Sequence, residues 1–211
     1  MVATIGSLVQ ETKNFRKWLI AATLYAFALI STSVLLGIAL SATGYAVRDA
    51  ISRVSLPAPL ETALPASIIG VLAIAYAVSD LGLIWMPRPI LMQAVPVTWW
   101  RRWQPYGASF LYGAVLGLGV TTRIPFGAYY VLCSLCLLKG SIIYGALLMG
   151  VYGAARALVI FPATWVFASD SCSIQDFVSR PILDARRTQY IVAFALIAFG
   201  GQALGSSILM F

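Results

Sequence analysis

Tyr106–Ala168 reads YGASFLYGAVLGLGVTTRIPFGAYYVLCSLCLLKGSIIYGALLMGVYGAARALVIFPATWVFA, and it carries only three charged residues: Arg123, Lys139 and Arg156. A soluble core does not need helices that are apolar on every face, whereas a bilayer demands them. The run also interrupts itself at Thr121-Thr122-Arg123-Ile124-Pro125, with a charge at the interruption. Charged groups in hydrocarbon are costly, so one inside such a run is a candidate functional group.

The rest of the chain agrees with this reading. Of 211 residues, 61% are hydrophobic and 10% charged, with a mean hydropathy of +0.90. Soluble domains carry roughly 25% charged residues, so the expected class is all-α, a polytopic transmembrane helical bundle. The formal net charge of +7 does not point to nucleic acid, because the basic residues cluster at the ends of apolar spans. Lys13, Arg16, Lys17, Arg101, Arg102, Arg186 and Arg187 are placed to set orientation. Arg101, Arg102, Arg186 and Arg187 are also expected to meet anionic lipid headgroups. The localisation expected is a prokaryotic cytoplasmic membrane with the N-terminus cytoplasmic.

Residues 1–17 form a tail or an interfacial helix, with Val2, Ile5, Leu8 and Val9 on one face. Residues 18–211 form a single transmembrane domain. The first span runs Trp18–Val47, too long for a cleaved signal core of roughly 7–15 residues. A polar loop is expected over Arg48–Leu64 and a second span over Pro65–Met86. The following loop holds the interfacial cluster Trp99-Trp100-Arg101-Arg102-Trp103. Ser141–Ala168 makes another span, Ser169–Thr188 a polar loop, and Gln189–Met210 the last span.

Tyr106–Leu138 is too long for one straight crossing. As a helix it would reach about 50 Å, against a hydrocarbon core of about 30 Å. One broken crossing gives five spans, with nine Lys and Arg residues inside and three outside. Two crossings give six spans, move Arg180, Arg186 and Arg187 outside, and nearly erase that bias. The asymmetry favours one broken helix.

Four polar residues fall inside the spans: Asp80, Arg123, Arg156 and Gln202. Asp80 and Arg156 each lie fifteen residues into their spans, at a matched depth of about 22 Å. They are expected either to pair or to snorkel separately to the inner interface. Arg123 stands beside Thr121, Thr122 and Pro125. Proline lacks the N–H that a helix interior needs, so the site is either a cavity-lining break or a surface turn between helices.

Cys133 and Cys136 form a C-x-x-C on one helical face. They are redox candidates or simply small packing residues. With Cys172 the count is three, which does not describe a secreted disulfide framework. The chain has no histidine, so imidazole base chemistry is excluded. No phosphate loop, zinc-protease motif or nucleophile elbow is present. No cofactor or metal set is visible, and an integral-membrane enzyme without a visible catalytic set is left open. Gly113, Gly117, Gly201 and Gly205 form small-xxx-small pairs suited to close helix contact, within the chain, in a homo-oligomer or with a membrane protein partner.

Phe110-Leu111-Tyr112-Gly113, Gly117-Leu118-Gly119-Val120-Thr121-Thr122-Arg123, and then Gly140, Gly145, Tyr152 and Gly153 carry a resemblance. Gly107–Val166 resembles the cytochrome c biogenesis transmembrane family, the CcdA/DsbD-like thiol–disulfide electron carriers. The resemblance implies a helical scaffold with a broken helix. It departs where the family's Pro-Cys would fall on Thr122-Arg123, and the first half, around Gly37–Gly44, holds no cysteine either. The family's redox cysteines are therefore not carried over. Three functions follow as expectations. The first is a transporter or permease-like protein using Arg123, Asp80, Arg156, Thr121, Thr122 and Pro125 along a substrate pathway. The second is a non-catalytic membrane subunit or assembly factor, and the third is a thiol–disulfide electron carrier using Cys133 and Cys136.

Overall fold

The structure is a computed structural model that describes residues 15–53, 58–86, 105–119, 127–158 and 174–208. Six α-helices lie among them: α1 Phe15–Ser52, α2 Ala58–Asp80, α3 Pro105–Gly117, α4 Ala128–Lys139, α5 Ile142–Leu158 and α6 Ile174–Ile208. Three helices contain windows long and apolar enough to cross a bilayer: Leu19–Ser52, Ala63–Asp80 and Thr188–Ser207. Ala128–Lys139 and Ile142–Leu158 are shorter apolar helices. At 1.5 Å per residue the former is only about 18 Å long, less than the hydrocarbon thickness.

The surface confirms the solvent for which the chain is built. Phe27, Leu35, Val71, Ile143, Leu147, Ile191 and Phe194 are all exposed. Soluble proteins rarely leave so many large apolar side chains uncovered. In lipid this is the ordinary state.

The chain divides into two compact units. One comprises Met1–Leu36, Ile90–Arg123 and Met149–Asp184. Its core joins Tyr25 and Leu29 of α1, Leu116 of α3 and Ala157 of α5, with Tyr112 packed alongside. Close approach is built in here: a Cβ at Gly117 would collide with the Leu29 carbonyl and the Thr32 hydroxyl of α1. The other unit comprises Gly37–Pro89, Ile124–Leu148 and Ala185–Phe211. Its core joins Ala73 and Ala77 of α2, Val131 of α4, and Ala193 and Leu196 of α6. Without a hydrophobic drive between helices in lipid, association relies on small side chains that let backbones approach, and Ala73, Ala77 and Ala193 supply them.

Several expected boundaries move. The Arg48–Leu64 loop is mostly helical, because α1 continues to Ser52 and α2 begins at Ala58. The expected Ser169–Thr188 loop is helical from Ile174 onward. A helix does not have to stop where hydrocarbon stops, since its backbone is internally satisfied and only its side chains meet the interface. The second span ends at Asp80 rather than Met86. Gly82 turns left-handed at φ 81° and its N–H bonds the Ser79 carbonyl, which closes the helix. Tyr106–Leu138 holds two helices, α3 and α4, rather than one continuous helix.

Candidate functional site

The C-terminus of α3 and the N-terminus of α4 each meet a charge opposite in sign to the helix end. Helix C-termini carry partial negative charge on unpaired carbonyls, and N-termini carry partial positive charge on unpaired N–H groups.

At the C-terminus of α3, in the first unit, Gly119 adopts a left-handed φ of 67° and donates its N–H to the Leu116 carbonyl at 3.1 Å. Arg156 Nη1 donates to the same carbonyl at 3.4 Å, and also to the Tyr152 hydroxyl at 3.3 Å. The buried Ser33 hydroxyl of α1 donates to the next carbonyl, Gly117, at 3.2 Å. Arg156 lies in the last turn of its own helix, α5. The guanidinium therefore links a carbonyl of α3 to a side chain of α5. Tyr25 and Tyr112 stand within its electrostatic reach, with their rings 6.1 Å apart.

At the N-terminus of α4, in the second unit, Asp80 Oδ2 accepts the N–H of Gly127 at 2.8 Å. Asp80 is buried, and it is the last residue of α2. A carboxylate is disfavoured at the C-terminus of its own helix, and the bond from the α4 N-terminus offsets part of that cost. Glycine is required at the contact, because a Cβ at Gly127 would come 2.7 Å from Tyr76 Cβ and 3.0 Å from Asp80 Oδ2. The Tyr76 ring stacks on Tyr130 at 5.3 Å, and Tyr129 meets Tyr130 edge-on at 5.6 Å.

Cys133 and Cys136 lie on α4 as free thiols, the first half-buried and the second fully buried. The Cys136 carbonyl accepts both the Ser41 hydroxyl at 3.2 Å and the N–H of left-handed Gly140 at 3.3 Å. This fixes the C-terminal turn of α4. Lys139 closes the helix with its Nζ 4.1 Å from the Tyr144 ring centroid.

Asp80 and Arg156 thus fall in different units and each has its own backbone partner. Arg123, Thr121, Thr122 and Pro125 lie outside the described residues, as do Arg101, Arg102, the Trp99–Trp103 cluster, Cys172 and residues 1–14. Arg186 and Arg187 fall on α6, with their side chains outside the described set. Gln202 is exposed on α6. Sequence reading missed Ser33, Ser41 and Gly127 as partners. The two serines are eight residues apart on one helix, and Gly127 directly follows the Pro125-Phe126 pair, which is the available signal. Among the described residues no cluster of three metal-ligating side chains occurs.

A family model described as the cytochrome C biogenesis protein transmembrane region matches residues 1–202. No curated protein and no solved structure matches the chain significantly.

Proposed function

We infer the function of this chain from one established premise: it belongs to the cytochrome c biogenesis protein transmembrane family. It is an integral membrane protein of CcdA/DsbD-like build. We propose that it is a thiol–disulfide electron carrier whose exchanging pair is Cys133 and Cys136. The family resemblance supplies the reaction class. The supporting observation is the pair itself: two free thiols one helical turn apart on α4, Cys133 partly reachable and Cys136 sheltered.

That asymmetry suits exchange through a mixed disulfide. With the pair oxidised, a thiolate of a reduced protein dithiol attacks Cys133 Sγ. The Cys133–Cys136 bond breaks, and Cys136 leaves as a thiolate that takes up a proton. The donor's second thiolate then attacks its own sulfur in the mixed disulfide and releases Cys133 as a thiolate, which is protonated in turn. The donor ends as a disulfide, and the carrier holds two electrons and two protons. Running the same steps in reverse delivers them to an oxidised protein acceptor. Five spans with one broken helix remain the preferred topology for this carrier.

Thiol trapping of the full chain in native membranes tests this. Cys136→Ser should accumulate a reductant-sensitive mixed disulfide through Cys133, and Cys133→Ser should not. If neither variant traps a partner and the wild-type pair never oxidises, the reading fails. A partner that stays bound to the Cys133→Ser, Cys136→Ser double variant in mild detergent would instead mark a non-catalytic subunit.

The charged caps favour a second reading, a permease-like role. Asp80 and Arg156 bond to Gly127 and Leu116, which bracket Thr121, Thr122, Arg123 and Pro125 in the sequence, and broken helices line substrate sites in transporters. Under that reading Arg123→Ala abolishes function while the double cysteine variant is silent. The thiol carrier predicts loss of function in the double cysteine variant.

A further inference from the structure

A cavity of about 180 Å³ lies in the second unit, walled by Gly44, Val47, Arg48, Leu64, Ile68 and Leu137, among others. We propose that it holds one acyl chain of an anionic phospholipid, with the phosphate on Arg48. This site is separate from the cysteine pair and does not rest on the proposed function.

Three observations point to this occupant. The first is chemistry: apart from Arg48, every side chain lining the cavity is hydrocarbon, and Gly44 has none. Val47, Ile51, Leu64 and Ile68 are all left partly uncovered, so the occupant must itself be apolar. The second is size. The volume takes a stretch of single hydrocarbon chain but not a helix, whose diameter with side chains is about 10 Å. The third is depth. Arg48 lies near the C-terminus of α1, Leu64 near the N-terminus of α2, and Leu138 next to the C-terminal Lys139 of α4. Arg48, Arg53 and Lys139 stand at these ends, and basic residues flanking apolar spans sit at headgroup level, so the groove is apolar below and cationic at the level of lipid phosphates.

Local contacts fix the shape. A Cβ at Gly44 would collide with the Leu137 carbonyl, so α1 and α4 meet backbone to backbone beside the groove. Leu64, Pro65 and Ile68 of α2 form the third wall. The neighbouring Asp49 is engaged by Arg53 at 2.7 Å. A guanidinium presents five N–H donors in a fork that matches phosphate oxygens, so Arg48 can hold a phosphate alongside its other contacts.

The test is native mass spectrometry of the full chain with phosphatidylglycerol or phosphatidylcholine of identical acyl chains. Wild type should retain one phosphatidylglycerol with a preference of about five- to tenfold, the order of one basic residue at a membrane surface. Arg48→Gln should reduce phosphatidylglycerol binding to the phosphatidylcholine level. Ile68→Trp should fill the groove and remove the adduct of either lipid, and Leu64→Phe is the second filling variant should Ile68→Trp misfold. Arg53→Gln should bind as wild type does. Equal binding of both lipids by wild type, an undiminished preference in Arg48→Gln, or an adduct that survives both filling variants would each overturn the proposal.

Discussion

Replacing Asp80 tests whether the break is held by charge. The carboxylate accepts one buried backbone N–H at 2.8 Å. Hydrogen bonds to charged groups contribute about 1.5–3 kcal/mol net. The α4 N-terminus adds roughly 0.3–1 kcal/mol, and the C-terminus of α2 subtracts a similar amount. The two dipole contributions therefore nearly cancel, and the loss for Asp80→Ala is about 1.5–3 kcal/mol. Asp80 takes part in further interactions, so this figure is a floor. For a chain of this size each kcal/mol moves Tm by roughly 2–4 °C, giving a drop of about 3–12 °C. Asp80→Asn keeps an acceptor oxygen but only a neutral bond of about 0.5–1.5 kcal/mol, so its drop should be about half as large. Asp49→Ala is the control. Asp49 pairs with Arg53 in an exposed i,i+4 bridge, worth roughly 0.3–0.5 kcal/mol. Intrinsic fluorescence of the six tryptophans in mild detergent reads all three melts. A melt for Asp80→Ala indistinguishable from that of Asp49→Ala, or an Asn variant as damaged as the Ala variant, would refute the capping argument.

Arg156→Ala should destabilise by about 1–3 kcal/mol, since the Leu116 carbonyl loses its charged donor while keeping the Gly119 N–H; Arg156→Lys should recover part of this in the same melt. Gly145→Ala should cost about 1–3 kcal/mol by overpacking, because the new Cβ would meet the Ser41 hydroxyl and stand 2.6 Å from the Gly37 carbonyl. Gly201→Ala should instead be neutral or stabilising by up to about 1 kcal/mol, the helical preference of alanine over glycine. No described residue lies within 4 Å of a Cβ at Gly201, so a large loss in the same melt would reveal a further packing partner, and a shift to smaller size in size-exclusion chromatography would place that partner on another chain.

Much of this architecture was legible in the sequence because its causes are local. Hydrophobic length predicts α1, α2 and the end of α6, and the stretch containing Pro125 predicts the separation of α3 from α4. Gly113 and Gly117 were read as close-packing positions, and they press against Tyr25 and Leu29 of α1. Gly201 and Gly205 were read the same way, yet Gly200 makes the contact, with Gly70 and Ile74. Residues next to each other on a helix differ by 100° in direction, and spacing alone does not choose the face. The end of α2 was misplaced because Leu83, Ile84 and Trp85 extend the apolar run past it. These three are exposed and lie past the end of the helix. The conflicting signal was Gly82, a helix-ending residue inside an apolar stretch. Asp80 and Arg156 were found from the sequence as costly charges, but not their partners. Those partners are backbone groups of other helices, the Gly127 N–H and the Leu116 carbonyl, and backbone groups leave no compositional trace.

Because the Leu116 carbonyl and the Gly127 N–H are main-chain groups, Arg156 and Asp80 recognise positions of the backbone there rather than residue identities. Leu116 can therefore be exchanged for another apolar side chain of similar bulk without removing the acceptor that Arg156 meets. Gly127 has no such freedom, because its missing side chain is the space that lets Tyr76 and Asp80 come close.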